Sequence, residues 1–312
     1  CGFSNSSSTT KAIVDLKEML VSAVLTWVSY LFGGTCGSTE AINQQLSDAF
    51  KEFWTQTRAI RKDSDALARS RRDFELAIAA VANSRLDQSD SGMDSNGLIA
   101  RVFALNTDMS RGQATANCVH AMVAASDTTF CLLFWTIFNL SQTPGAWERC
   151  RATDWEISSS FLHDELVQIG TLKAQATAGK IVDTSSLTYL GRALMETARV
   201  YPPVWTLPRV LDDGTFVKLD VPWTNQALQR KWNPDSSTAS PLATFGVGQR
   251  HCPGGTAALY AAHHMLRHFI ARFEPPNECS PGHALQSLYL GPTLCLEGPQ
   301  YFQISLTNVQ GW

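Results

Sequence analysis

The feature that most constrains this chain is a glycine-rich run, Phe245-Gly246-Val247-Gly248-Gln249-Arg250-His251-Cys252-Pro253-Gly254, which leads into an apolar helical pattern from Gly255 to Phe273. Glycines adopt backbone conformations closed to other residues and let the chain approach a flat cofactor closely. Amide groups at a helix start can hydrogen-bond a thiolate and stabilise its charge. The run therefore predicts one cysteine, Cys252, presented as an anion at a helix entrance. A glycine-rich turn that ends in a buried cysteine is the alternative.

Most of the chain carries the three- and four-residue apolar spacing of amphipathic helices. The helical patterns cover Lys11 to about Leu31, Thr39 to about Arg85, Arg111 to Leu140, Trp147 to Arg151, Phe161 to Ala178, Ser186 to Val200 and Gly255 to Phe273. Strand-like pieces follow at Trp205–Leu211 and Thr215–Leu219, and others lie between Leu285 and Leu306. We expect a mainly α protein with a small β part, as a single domain over residues 1–312.

Composition argues against several classes of protein. The net charge of -3 provides no general attraction for nucleic acid. The eight cysteines are scattered without a CxxC pair, which favours an intracellular, reducing compartment over a disulfide framework or a zinc site. No secretory signal is visible, and the apolar run from Met19 to Phe32 is short for a membrane-spanning helix. Membrane association through a segment outside this chain stays open.

Two further patterns precede the cysteine run. Glu196-Thr197-Ala198-Arg199 is an ExxR pair followed by a proline turn, although an i,i+3 acid-base pair is common on any helix surface. Ala124-Ala125-Ser126-Asp127-Thr128-Thr129 places an acid beside an alcohol in the middle of an apolar helix. A helix-capping role makes little sense at such a place.

Together the three patterns resemble the cytochrome P450 family. The cysteine run matches the family signature FxxGxRxCxG at every defined position, and residues 124–129 are similar to its oxygen-activating sequence (A/G)Gx(D/E)T(T/S), with Ala125 where glycine is usual. The resemblance implies a cytochrome P450-like fold and haem b (iron protoporphyrin IX) as cofactor. Cys252 would be the axial ligand of the haem iron, a thiolate that favours O–O cleavage.

The resemblance also implies roles for other residues. Arg250 and Arg209 would pair with the haem propionates, Phe245 would pack against the porphyrin, and Ala124 would leave room over the ring. Asp127 and Thr128 would be the catalytic proton relay.

Glu196 and Arg199 would form a buried bidentate pair that pins the cysteine-loop region, a structural role. Substrate contacts are placed by analogy at Met122, Val123, Val204, Leu207 and Tyr289, which core packing explains equally well.

The implied activity is monooxygenation of an apolar small molecule with O2, and the electrons would come from a ferredoxin or flavoprotein reductase. Ala125 keeps a haem-thiolate peroxygenase, isomerase or dehydratase open as an alternative. A third hypothesis is a haem-binding protein without turnover, because the segment from Trp232 to Ser237 has a serine where the family has a third arginine.

The chain is also shorter than the family pattern. Only about 120 residues precede the oxygen motif, so we expect an N-terminally short or truncated form of the fold. Trp54-Thr55-Gln56-Thr57-Arg58 has by letter the WxxxR spacing of a propionate-binding helix. Its position suits a later helix, and we interpret the match as coincidence.

Overall fold

The computed structural model describes residues 11–34, 40–58, 63–86, 97–105, 108–154, 164, 167–168, 171, 182–183, 187–204, 232–235, 238–239, 245–246, 251–278, 288–290, 294–296 and 301–305. The chain groups into two compact units. One is Glu18–Phe130, and the other combines Cys1–Lys17 with Cys131–Trp312. Each is described by itself.

The Glu18–Phe130 unit is helical throughout its described part. It contains most of α1 (Leu16–Gly33), then α2 (Glu40–Arg58), α3 (Ser64–Leu86), α4 (Leu98–Leu105) and the first part of α5 (Arg111–Gln142). Helices α2 and α3 pack through stacked rings, with the Phe50 and Phe74 centroids 4.9 Å apart. Both rings are fully buried and fix the two helices against each other.

The second unit holds the rest of α5, then α6 (Ala146–Asp154), α7 (Tyr189–Val200) and α8 (Gly255–Arg272). Helix α5 ends at Gln142, directly before the turn that contains Pro144, and Gly145 adopts a φ of 70° there. That left-handed conformation favours glycine, so the long helix stops where its pattern predicts. Thr188 caps α7, its hydroxyl accepting from the Gly191 N–H at 3.1 Å.

The second unit also contains short strands. Strands β1 (Lys11–Asp15), β7 (Tyr301–Ser305) and β4 (Asn277–Glu278) form an antiparallel sheet in the order β1-β7-β4. Two-stranded pairs join β2 (Val182–Asp183) to β3 (Thr238–Ala239) and β5 (Leu288–Leu290) to β6 (Leu294–Leu296). The prediction of a mainly α chain with a small β part is confirmed. The predicted helix at 161–178 and the strand-like pieces between 205 and 219 lie wholly or mostly outside the described residues.

One helix boundary was predicted wrongly. The helical pattern from Lys11 begins in fact with strand β1, whose Lys11 pairs with Ser305 and whose Asp15 pairs with Tyr301. Asp15 then starts α1, since its Oδ1 accepts from the Lys17 N–H at 3.0 Å. The local sequence could not reveal a strand partner almost 290 residues away.

Two helices, Leu16–Gly33 and Arg111–Gln142, are long and apolar enough to cross a membrane, judged by length and composition. Within their most apolar windows 50% and 67% of the residues are buried in the protein. Core helices of globular proteins meet the same criterion, so both remain weak evidence for a membrane span.

Candidate functional site

The cysteine loop closes on itself immediately before α8. The Cys252 N–H donates to the Phe245 carbonyl oxygen at 2.7 Å, and the Gly255 N–H lies 3.4 Å from the Cys252 carbonyl oxygen. Gly246 is buried and has a φ of 72°, a left-handed conformation that favours glycine. Arg250 lies outside the described residues. The described ends of the loop thus present Cys252 at the start of the helix.

Cys252 is half-buried and lies three residues before Gly255, the first residue of α8. A β-carbon placed on Gly254 would lie 4.0 Å from Cys252 Sγ, and Gly254, the N-cap residue, has no capping side chain. The first amide groups of a helix lack partners within it, and the helix dipole favours negative charge at this end. An accessible sulfur at the positive end of an 18-residue helix fits a thiolate ligand of haem iron.

Helix α7 carries a bidentate ion pair. Arg199 Nε donates to Glu196 Oε2 and Arg199 Nη2 donates to Glu196 Oε1, both at 2.7 Å. The Arg199 side chain is only 15% exposed and that of Glu196 9%. The hydrogen bond to Glu196 raises the pKa of Arg199 above its usual value. This pair is therefore charge-assisted and mostly withdrawn from water.

A segment from Trp232 to Asp235 is tied to the same helix. The Asn233 N–H donates to Glu196 Oε1 at 3.0 Å, and the Trp232 indole N–H donates to Thr197 Oγ1 at 3.1 Å. Sequence reasoning noted the missing third arginine here but missed these two contacts. A backbone amide carries no residue signature, so only the indole of Trp232 could have hinted at them.

Two arginines hold the far end of that segment. Arg192 Nε donates to the Pro234 carbonyl oxygen at 3.2 Å, and Arg149 forms a bidentate pair with the Asp235 carboxylate. The Arg149 hydrogen bonds lower the pKa of Asp235 below its usual value. The segment is therefore attached to both α6 and α7.

In the other unit, the middle of α5 carries the acid and the alcohol. Asp127 Oδ1 accepts a hydrogen bond from the Trp54 indole N–H at 2.9 Å, and the Thr128 hydroxyl donates to the Ala124 carbonyl oxygen at 2.8 Å. Asp127 and Thr128 are half-buried, and Ala124 is exposed. Within the described residues the buried Thr129 hydroxyl has no hydrogen-bond partner. Trp54, interpreted from the sequence as a coincidental match, thus contacts Asp127.

The remaining candidate residues are scattered over both units. Met122 is fully buried in the core of its unit, whereas Val123 and Val204 are half-buried. Tyr289 lies in β5, opposite Cys295 of β6. Arg209 and Leu207 lie outside the described residues. Among the residues that the structure describes, no group of three or more His, Cys, Asp or Glu side chains could hold a metal ion.

Comparison with known proteins adds independent information. The sequence profile described as Cytochrome P450 matches residues 4–222. That stretch contains the oxygen motif and the Glu196–Arg199 pair and ends before the cysteine loop. A cytokinin hydroxylase of Arabidopsis thaliana is 24% identical over 64% of this chain and 42% of its own length. An indoleacetaldoxime dehydratase of the same plant is 23% identical over 71% and 48%.

The fold is also similar to solved structures. A retinoic acid-bound cyanobacterial cytochrome P450 superposes with a TM-score of 0.63 at 17% identity, covering 95% of this chain and 69% of that protein. The chain spans less than half the length of the two curated relatives named above. The profile match covers well over half of the chain, and it agrees with the structural likeness and the helical architecture. The chain therefore belongs to the cytochrome P450 family, whose members bind haem.

Proposed function

We propose that this chain is the haem-thiolate part of a monooxygenase that hydroxylates an apolar small molecule. One oxygen atom of O2 enters a C–H bond of the substrate, and the other leaves as water. Two electrons from a redox partner and two protons complete the balance. Haem b is the cofactor, and it supplies the redox and oxygen chemistry when bound.

The observation that carries this proposal is the Cys252 thiol at the entrance of α8. The half-buried position of Cys252, the loop closed by the Phe245 carbonyl and the helix end without a capping side chain together suit an anionic ligand. Phe245 would pack against the porphyrin, and Arg250 and Arg209 would hold its propionates. The Glu196–Arg199 pair, joined by Asn233, keeps this part of the fold rigid.

Asp127 and Thr128 supply protons to the reaction. The Thr128 hydroxyl donates to Ala124, so its oxygen retains acceptor capacity for a water or a substrate hydroxyl. Rotation of the same hydroxyl would let it donate a hydrogen bond to that water instead. The Asp127 carboxylate exchanges protons with solvent water and passes them on.

The resemblance to the family assigns substrate contacts to five apolar or aromatic side chains, Met122, Val123, Val204, Leu207 and Tyr289. A ferredoxin or a flavoprotein reductase delivers the electrons. The protein works in an intracellular, reducing compartment, and the sulfurs of Cys118, Cys131 and Cys150, which form no disulfide bond, support this.

A second candidate is a haem-thiolate dehydratase, isomerase or peroxygenase. Ala125 in the oxygen motif favours it, and so does the similarity to an indoleacetaldoxime dehydratase. The co-substrates that turnover requires distinguish the monooxygenase from this second candidate. Turnover that requires O2 and a reductase supports the monooxygenase, and turnover with peroxide, or without any oxidant, supports the second candidate.

A spectroscopic experiment tests the thiolate. The haem-loaded, reduced protein should shift its Soret band strongly to the red on binding carbon monoxide. Cys252→Ala and Cys252→His should abolish that band, whereas Cys150→Ala, which changes a buried cysteine on α6, should retain it. A red-shifted band that persists in Cys252→Ala would overturn the proposal.

A further inference from the structure

The Trp54–Asp127 hydrogen bond joins two residues that are 73 positions apart in the chain. Both belong to the Glu18–Phe130 unit, Trp54 on α2 and Asp127 on α5. Both are half-buried, so the bond is shielded from competition with water.

The indole is held in place by its own helix. Phe50 lies three positions before Phe53 and four before Trp54, and on a helix residues three and four apart share a face. Both phenylalanine rings stack on Phe74 of α3, with centroid distances of 4.9 and 5.5 Å. This packing fixes the rotation of α2 about its axis and hence the direction in which Trp54 points.

The chemistry of the donor suits a proton relay. An indole N–H donates one hydrogen bond, accepts none and does not titrate in the physiological range. It can therefore orient a carboxyl group without competing for the proton that the group carries. A lysine or arginine at this place would hold the carboxylate as a fixed ion pair instead.

We propose that Trp54 is a positioning residue for proton delivery, acting through Asp127. The proposal rests on the proposed monooxygenase function. Trp54 holds Oδ1 of Asp127, so that the carboxyl group keeps one orientation beside Thr128 while protons pass. Without the indole N–H the carboxyl group can rotate, and protons are delivered more slowly. More of the electrons then reduce O2 to hydrogen peroxide or water without forming product.

The functional test compares Trp54→Phe, which keeps an aromatic ring but removes the N–H, with Trp147→Phe. Trp147 donates an equivalent indole bond, to the Phe273 carbonyl oxygen at 3.0 Å in the other unit. The measured quantity is the product formed per electron consumed, in the full chain with haem and reductase. It should fall roughly three- to tenfold in Trp54→Phe, a small part of the ~10²–10⁴-fold that a positioned acid contributes to a reaction rate. It should stay unchanged in Trp147→Phe.

A double substitution separates positioning from general damage. If Trp54 acts through Asp127, adding Trp54→Phe to Asp127→Asn should cause no further loss. An additive loss in the double variant, or an unchanged product ratio in Trp54→Phe, would overturn the proposal.

A second readout does not need turnover. In the full chain labelled with ¹⁵N-tryptophan, the indole N–H signal of Trp54 is the one that disappears in Trp54→Phe. This N–H proton should exchange slowly with solvent in the wild type. Its exchange rate should rise at least tenfold in Asp127→Ala. If wild-type protein makes no product but this protection is present, the monooxygenase proposal fails while the positioning contact stands. Fast indole exchange in the wild type overturns the positioning proposal.

Discussion

The backbone N–H of Asn233 lies 3.0 Å from Glu196 Oε1, the same carboxylate oxygen that accepts from Arg199 Nη2. One acid thus joins helix α7 to a segment 37 residues further along the chain. Since the segment has no arginine at this place, the acid completes its hydrogen bonds with a main-chain donor. The stability of this junction should depend on a charge pair and on a backbone amide together.

Removing the charge of Glu196 should destabilise the protein. Glu196→Gln keeps the shape but leaves Arg199 charged and mostly buried, which should cost about 3 kcal/mol, the lower end for a broken buried pair. Chemical denaturation monitors the loss, and haem retention should fall with it. The control is Glu75→Gln in the exposed Arg71–Glu75 pair, which should cost under about 0.5 kcal/mol. Equal costs for the two variants would contradict the prediction.

The main-chain donor can be removed as well. Asn233→Pro lacks the N–H that bonds Glu196, so the carboxylate loses a partner at a cost of about 1–3 kcal/mol. Asn233→Ala keeps that N–H and loses only the side-chain oxygen, which accepts from the Asp235 N–H at 3.1 Å. Urea unfolding should therefore rank alanine clearly above proline in stability. The same stability for both variants would mean that the amide contributes nothing.

The Cys118 thiol should be unreactive toward alkylating reagents in the folded protein. Burial raises the pKa of its thiol to about 11, so only about one molecule in a thousand carries the thiolate at pH 8. Its side chain is also closed to solvent. Mass spectrometry after iodoacetamide treatment should find Cys118 unmodified in native protein and modified in urea. Rapid native labelling would show that this part of α5 opens.

Stability should fall on mild acidification because of two histidines on α8. Burial, together with charges that include Arg267, lowers the pKa of His264 and of His268 below the usual value of about 6.5. The unfolded chain then binds more protons than the folded one, so stability present above about pH 6.5 is lost as the pH falls toward the lowered values.

The corresponding experiment measures urea midpoints between pH 5 and pH 8. Substituting both histidines by glutamine should flatten this pH dependence of the urea midpoint. The prediction fails if the double variant retains the full slope. The Nε2 atoms of the pair lie 3.1 Å apart, so the two substitutions should not be additive.

Local sequence was enough for the features that depend on neighbours along the chain. The apolar spacing predicted α5 from Arg111 to within two residues of its end, because proline and a left-handed glycine stop a helix wherever they occur. The sequence alone was also enough to recognise the cysteine run, the oxygen motif and the Glu196–Arg199 spacing, since each is a pattern over ten residues or fewer.

Only the tertiary structure decided which distant groups meet. Lys11–Asp15 became a strand because Tyr301–Ser305 offers it a ladder of hydrogen bonds, which outweighs a helical pattern of five residues. Asn233 reaches Glu196 through a main-chain N–H that every non-proline residue possesses. Trp54 reaches Asp127 because ring stacking between α2 and α3 sets its direction. Such contacts depend on packing between segments far apart in the chain, about which the spacing of residues within one segment carries no information.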